Sequence, residues 1–246
     1  MAPENSIRFS SINIEGDKHL KEAAAFLRAF NPEVVCFQEL NESSVSFFEK
    51  ILGMKGCFVP MSRHLALPKK IHTAFGVGIF SNLPLSAAHF EYYYGGTGEL
   101  PTLKIGDEAT VWRPLLYGTV EKEGISYTIA VTHFTRTPDG NVDEKQRTDM
   151  KNLLGFLGRM PEFILCGDFN APRGGEIFSM LAEKYQDNIP REYLSSLDPT
   201  LHKLKDGKQF MVDGLFTTAG YQVHEVKFTE GVSDHKAVTA LLSKRE

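Results

Sequence analysis

Between residues 74 and 132 the chain carries four strand-like runs with no helical stretch between them. They are Ala74 to Phe80, Ala87 to Tyr92, Ala109 to Val120 and Ser126 to Thr132. Each is rich in β-branched or aromatic residues and is bounded by turn clusters. Strands that follow one another without a crossover helix pair antiparallel through hairpins. The block therefore argues against a simple doubly wound parallel sheet, in which helices alternate with strands.

The flanks have a different rhythm. Ile7 to Ile14 reads as a strand ending in the turn Asn13-Ile14-Glu15-Gly16. Asp17 to Phe30 places Leu20, Ala23, Ala24, Leu27 and Phe30 at helical spacing, and Asn31-Pro32 stops it. Val34 to Phe37 is a short, wholly apolar strand, and Glu42 to Leu52 a second helix. Past the block come an amphipathic helix over Asp143 to Leu157, a strand over Phe163 to Cys166 and a helix over Glu176 to Tyr185. Phe210 to Thr217, Val223 to Phe228 and Ala237 to Leu242 are closing strands, while His64 to Lys70 and Tyr94 to Thr102 read as surface loops. Strand-helix-strand units on both sides of an antiparallel block imply two packed sheets with helices outside. No repeat or linker interrupts the pattern, so residues 1–246 read as a single domain.

With 42% hydrophobic residues, the chain can bury a core without disulfides. Cys36 and Cys166 sit in apolar runs and read as small buried hydrophobes, which points to a reducing compartment. Met1 to Arg8 lacks the apolar stretch of a signal peptide, and no membrane span is visible, so a cytoplasmic location without membrane insertion is expected. No oligomer signal is present. A net charge of −4 argues modestly against avid binding to bulk nucleic acid.

The polar residues that interrupt these apolar runs share one property: they end strands. They are Asn13, Glu39, His133, Asp168, Asn170, Asp213, Asp234 and His235. Strand ends and their loops are where sites accumulate on sheet-based enzymes. In Phe163-Ile164-Leu165-Cys166-Gly167-Asp168-Phe169-Asn170, an apolar strand runs straight into a carboxylate, with an amide two residues on. Each motif alone has an ordinary explanation: an Asx-turn or helix cap for Asp168 and Asn170, a capped turn for Ser233-Asp234-His235, a solvent-facing Glu39.

Their combination and order carry more. From Ser11-Ile12-Asn13 through Gln38-Glu39, Gly78-Ile79-Phe80-Ser81, Thr132-His133, Gly167-Asp168-Phe169-Asn170 and Asp213 to Ser233-Asp234-His235, the chain resembles the endonuclease/exonuclease/phosphatase superfamily over nearly its whole length. The resemblance implies a four-layered α/β/β/α sandwich of two mainly antiparallel or mixed sheets (the DNase I-like fold). It also implies a hydrolase of phosphate esters that uses Mg²⁺ or Mn²⁺. By the same resemblance Glu39 would be the principal metal ligand, with Asn13 and Asp234 near the same ion. Asp168 would orient or deprotonate the attacking water, or hold a second cation, Asn170 would bond a phosphate oxygen, and His235, fixed by Asp213, would contact the scissile phosphate. His133 would be a second phosphate or leaving-group contact. DNase-like relatives orient this histidine with a glutamate, and no such acid lies near Gly76 to Phe80. Arg113 could clamp phosphate or form a structural ion pair. The substrate read first is a phosphodiester in nucleic acid, with Tyr92, Tyr93 and Tyr94 offering stacking surfaces or hydrophobic packing and Trp112 read first as packing. The alternatives are a phospholipid or sugar-phosphate ester, and a non-catalytic binding scaffold.

Overall fold

A computed structural model describes Pro3 and residues 5–66, 71–86, 88–137, 141–203 and 209–245. It contains two six-stranded mixed sheets with helices on their outer faces. The first sheet is built from β1 (Ile7–Asn13), β2 (Val34–Asn41), β3 (Lys55–Ala66), β4 (Ile71–Ser81), β11 (Tyr221–Thr229) and β12 (Ala237–Lys244), ordered β11-β12-β1-β2-β4-β3. The second holds β5 (His89–Tyr94), β6 (Arg113–Lys122), β7 (Ile125–His133), β8 (Ile164–Asp168), β9 (Gln186–Asp187) and β10 (Asp213–Thr217), ordered β5-β6-β7-β8-β10-β9.

Each sheet has one parallel pair at its centre, β1 with β2 and β7 with β8, and antiparallel pairs elsewhere. A helix bridges each parallel pair: α1 (Leu20–Phe30) and α3 (Glu144–Leu157). A parallel connection has to return the chain to its starting edge, which a crossover helix does. Two further helices, α2 (Val45–Leu52) and α4 (Glu176–Ala182), follow β2 and β8.

Three separate apolar clusters define four layers. The inner one lies between the sheets and includes Phe9, Val34, Cys36, Ile129, Ile164 and Cys166. One outer cluster packs Val35 and Phe37 against Ala23, Leu27 and Phe48 of the helices. The other packs Ala130 and Leu165 against Leu153, Leu157 and Phe178. The wholly apolar runs have this cause. Alternate residues of a strand point to opposite faces, so Val34 and Cys36 enter one core while Val35 and Phe37 enter another. Truncating one such residue to alanine would cost about 2–5 kcal/mol.

Sequence and structure differ over residues 55–66. This segment is β3, an edge strand paired along β4, and the loop expected at 64–70 begins as strand through Ala66. Residues 67–70 lie outside the described residues, as does Ala87 at the start of an expected strand. Pro60 disguised β3, because proline suits only an edge or a bulge, and β3 provides both. The first turn of the helix expected from Glu42 is 3-10, and α2 proper starts at Val45. Among the described residues no helix is long and apolar enough to cross a membrane.

Candidate active site

The two parallel pairs explain where the polar residues meet. Asn13 ends β1, Glu39 lies near the end of β2, His133 ends β7 and Asp168 ends β8. Strands antiparallel to these begin at the same edge, so Asp213 starts β10, and Asp234 and His235 lie in the turn just before β12. Asp168 is in register with both His133 and Asp213.

Asp168 is the hub. It is 2% exposed. Its Oδ2 accepts from Asn13 Nδ2 at 3.1 Å and lies 3.5 Å from His133 Nε2 and 3.7 Å from His235 Nε2. Its Oδ1 accepts the Asn170 backbone N–H at 2.8 Å, an Asx-type turn that leaves Asn170 in the left-handed region. The Asn170 side chain donates to the Phe134 carbonyl at 3.0 Å. Burial alone would raise the Asp168 carboxyl, but His235 and His133 hold it well below the usual carboxylate range. Gly167 makes this approach possible, since any side chain there would strike the Thr132 carbonyl on β7.

Glu39 is aimed by a bulge. Between Phe37 and Leu40, β2 takes one more residue than β4, and Glu39 sits at φ 53. A non-glycine residue in that region costs on the order of 1 kcal/mol. Its Oε1 accepts from Asn13 Nδ2 at 3.3 Å and lies 3.8 Å from His133 Nε2. Asn13 Oδ1 is taken by the Glu15 N–H at 3.2 Å, so Asn13 turns its amide nitrogen, not its oxygen, toward the two carboxylates.

The two histidines differ behind their Nε2 atoms. His235 Nδ1 donates to Asp213 Oδ2 at 2.7 Å. Burial alone would lower the imidazole, but Asp213 and Asp168 raise it well above its ordinary value. Asp213 is braced in turn by Ser196, whose Oγ accepts the Val212 and Asp213 backbone N–H groups, each at 3.1 Å. His133 Nδ1 is buried with no hydrogen-bond partner among the described residues.

Among the described residues Arg113 makes no hydrogen bond or ion pair with the side chains of this cluster. It is 3% exposed, forms an ion pair with Glu108 and donates to the His133 carbonyl at 3.3 Å. Of the two roles open to it, the structural ion pair is the one seen. Tyr93 lies beside it, fully committed to Thr132 and the His133 carbonyl, and Trp112 packs edge-on against Tyr92.

A divalent cation fits the remaining acids. Burial pushes the Asp234 carboxyl up to about 6, and Glu15 and Glu39 push the same way against the opposing His235. An acid raised by its neighbours is one whose charge lacks compensation, and oxygen donors of this kind suit a hard cation. Glu39 and Asp234 could hold it, with Asp168 adjacent.

Residues 10–235 match the model of the Endonuclease/Exonuclease/phosphatase family. The chain belongs to that family. No curated protein matches its sequence. Among solved structures, an endonuclease/exonuclease/phosphatase from Beutenbergia cavernae superposes with TM-score 0.76 at 17% identity, covering 98% of this chain and 72% of that one. The human Nocturnin catalytic domain, solved with a bound sulfate anion, gives 0.68 at 19% identity over 98% and 94%. A mannosyl-6-phosphatase from Bacteroides thetaiotaomicron gives 0.65 at 13% over 97% and 100%. At these identities the likeness shows the DNase I-like fold and nothing of the substrate.

Several residues at this family site carry no strand-end signal. Glu15, at φ 47, lies in the turn after β1 and pairs with Lys18 and His19. Behind Glu39, Asn41 donates to Asp17 at 2.9 Å and meets His64 Nε2 at 2.7 Å. Ser196, Asp198 and His202 come from the long segment between α4 and β10. Asp198-Pro199-Thr200 is a turn signal that could have flagged the second of these.

Proposed function

We propose that the protein is a divalent-metal-dependent phosphoesterase, using Mg²⁺ or Mn²⁺, that hydrolyses a phosphodiester, with residues 1–246 working as one domain. The reading is carried by one observation: Asp168 Oδ2 stands within 3.1–3.7 Å of Asn13, His133 and His235, at the edge where Glu39 and Asp234 also converge. When bound by Glu39 and Asp234, the cation would neutralise charge developing on the phosphoryl oxygens.

The chain's own groups supply the rest. Asp168, kept ionised, orients the attacking water and accepts its proton. Asn170 keeps a second amide N–H for a phosphate oxygen and adds no repelling charge. His235, held by Asp213, presents a protonated Nε2 to the scissile phosphate. His133 makes a second contact, to the phosphate or the leaving group. Asn13 spaces Glu39 from Asp168, and it would ligate the cation directly only after its amide turns over. Arg113 acts from behind, by fixing the His133 carbonyl.

Nucleic acid is the first substrate proposed. A sugar phosphate is the second reading, favoured by the net charge of −4. A panel tests both: single-stranded DNA, abasic duplex, poly(A), a hexose 6-phosphate and bis-p-nitrophenyl phosphate, each with Mg²⁺. Activity on a polynucleotide that falls steeply with salt supports the first reading. Turnover of the sugar phosphate alone supports the second. Hydrolysis that survives EDTA would overturn the metal requirement.

A further inference from the structure

His202 reaches this site from a segment that ends no core strand, and its position is built. Asp198 Oδ1 accepts the backbone N–H groups of Thr200 at 2.8 Å and Leu201 at 2.9 Å, and its carbonyl accepts from His202 N at 3.1 Å. The same residue ties this turn to the one bearing Asp234. Its N–H donates to the Asp234 carbonyl at 2.8 Å, and its Oδ2 accepts from Gly231 N at 2.7 Å. Leu197 forms a β-bridge with His235. The His202 and His235 rings meet edge to face, 5.9 Å between centroids.

His202, Asp234 and His235 each offer a ligand atom within 4.8 Å of the other two. Donors of a tetrahedral zinc site stand roughly 3.3 Å apart, so side-chain rotation must close a gap of up to about 1.5 Å. His202 is partly exposed and Asp234 is not fully buried, which leaves room for that rotation. His235 already has the arrangement common behind metal-bound imidazoles: Nδ1 donates to the Asp213 carboxylate, which orients the ring and leaves Nε2 as the ligand.

We propose that His202, Asp234 and His235 form a binding site for a borderline transition-metal ion, of which Zn²⁺ is the representative. Its donor chemistry separates it from the oxygen ligands around Glu39. Two imidazoles and a carboxylate suit zinc, whereas magnesium prefers oxygen and water. The sites share Asp234, and zinc would displace the Nε2 proton of His235 to solvent and withdraw the ring from the phosphate. Zinc therefore inhibits the hydrolysis; this last step alone rests on the phosphoesterase reading.

The test uses the untagged full chain, stripped of metal and held in excess Mg²⁺, titrated with Zn²⁺ against a chromophoric chelator. Wild type should bind one zinc, and both His202→Ala and His202→Gln should bind it at least about tenfold more weakly. Co²⁺ in place of zinc should give visible absorption that these variants lose. Bis-p-nitrophenyl phosphate turnover in Mg²⁺ should fall with added zinc in wild type and resist it in both variants. Wild-type zinc affinity in both variants, or no zinc bound by wild type, would overturn the proposal. His202-dependent zinc binding in a chain that cleaves no phosphate ester would uphold the metal site and sink the phosphoesterase reading instead.

Discussion

The two sides of Asp168 look alike from the front and differ from behind. His133 and His235 bring Nε2 to 3.5 Å and 3.7 Å of the same oxygen. On the β12 side, His235 is backed by Asp213, and Asp213 by Ser196, so ring angle and charge are both set. On the β7 side, the outer nitrogen of His133 has no hydrogen-bond partner among the described residues, and the backbone beneath it is held instead, by Arg113 and Tyr93. One histidine is positioned through its side chain, the other through its main chain. A ring gripped at Nδ1 can serve as a fixed cation, while a ring without that grip is less tightly set in angle.

Substitutions should expose that asymmetry. The largest loss is expected from the shared hub and the gripped ring: Asp168→Ala and His235→Ala should each lower kcat by about 10³-fold or more with the fold intact by circular dichroism. Asp168→Ala at wild-type rate on a phosphodiester would end the assignment. Asp213→Asn should follow, at about 10²-fold, because it removes orientation and charge without emptying the space. His133→Ala should cost less, roughly tenfold, in steady-state turnover. If His133→Ala outweighs Asp213→Asn, the unbraced ring is the more important one and the comparison reverses.

Smaller still is Glu108→Gln, which leaves Arg113 on the His133 carbonyl but unpaired. It should reduce stability by about 1 kcal/mol in urea titration and turnover by only a few fold. The weakest signature is in pH. The His235 imidazole is raised in the folded chain, so its stabilising contribution is complete below the ordinary imidazole range. That contribution fades as pH climbs through the raised value. The Tm of metal-stripped protein should therefore drop on the alkaline side, and Asp213→Asn should flatten that drop. An unchanged slope in the variant would detach Asp213 from the charge on His235.

The reaching set was legible in sequence where a polar residue ends an apolar strand, as at Asn13, His133 and Asp168, whereas Asp213, expected to end a strand, begins one. Burial on both faces forces such strands to be apolar, and the first polar residue marks the edge. Glu39 was legible as a carboxylate after a strand, but not its aim, because the bulge depends on register with β4. The edge strand β3 was hidden by Pro60 and by half-exposed residues that a central strand would not tolerate. Arg113 could be read two ways because its partner, Glu108, sits in a 3-10 turn that no periodicity announces. His202 was invisible for a related reason. Its placement depends on Asp198 gripping Gly231 and Asp234, more than thirty residues downstream.

The 3.1 Å hydrogen bond from Asn13 to Asp168 joins the tip of one sheet to the tip of the other. Nothing covalent sets that spacing. It is the outcome of how the side chains of the inner core, Cys36 and Cys166 among them, fill the gap between the layers. The site therefore behaves as a gauge mounted across a seam. A core substitution far from any polar group, one that lets the layers slide by half an ångström, would register first as lost turnover, while the melting temperature still looked sound.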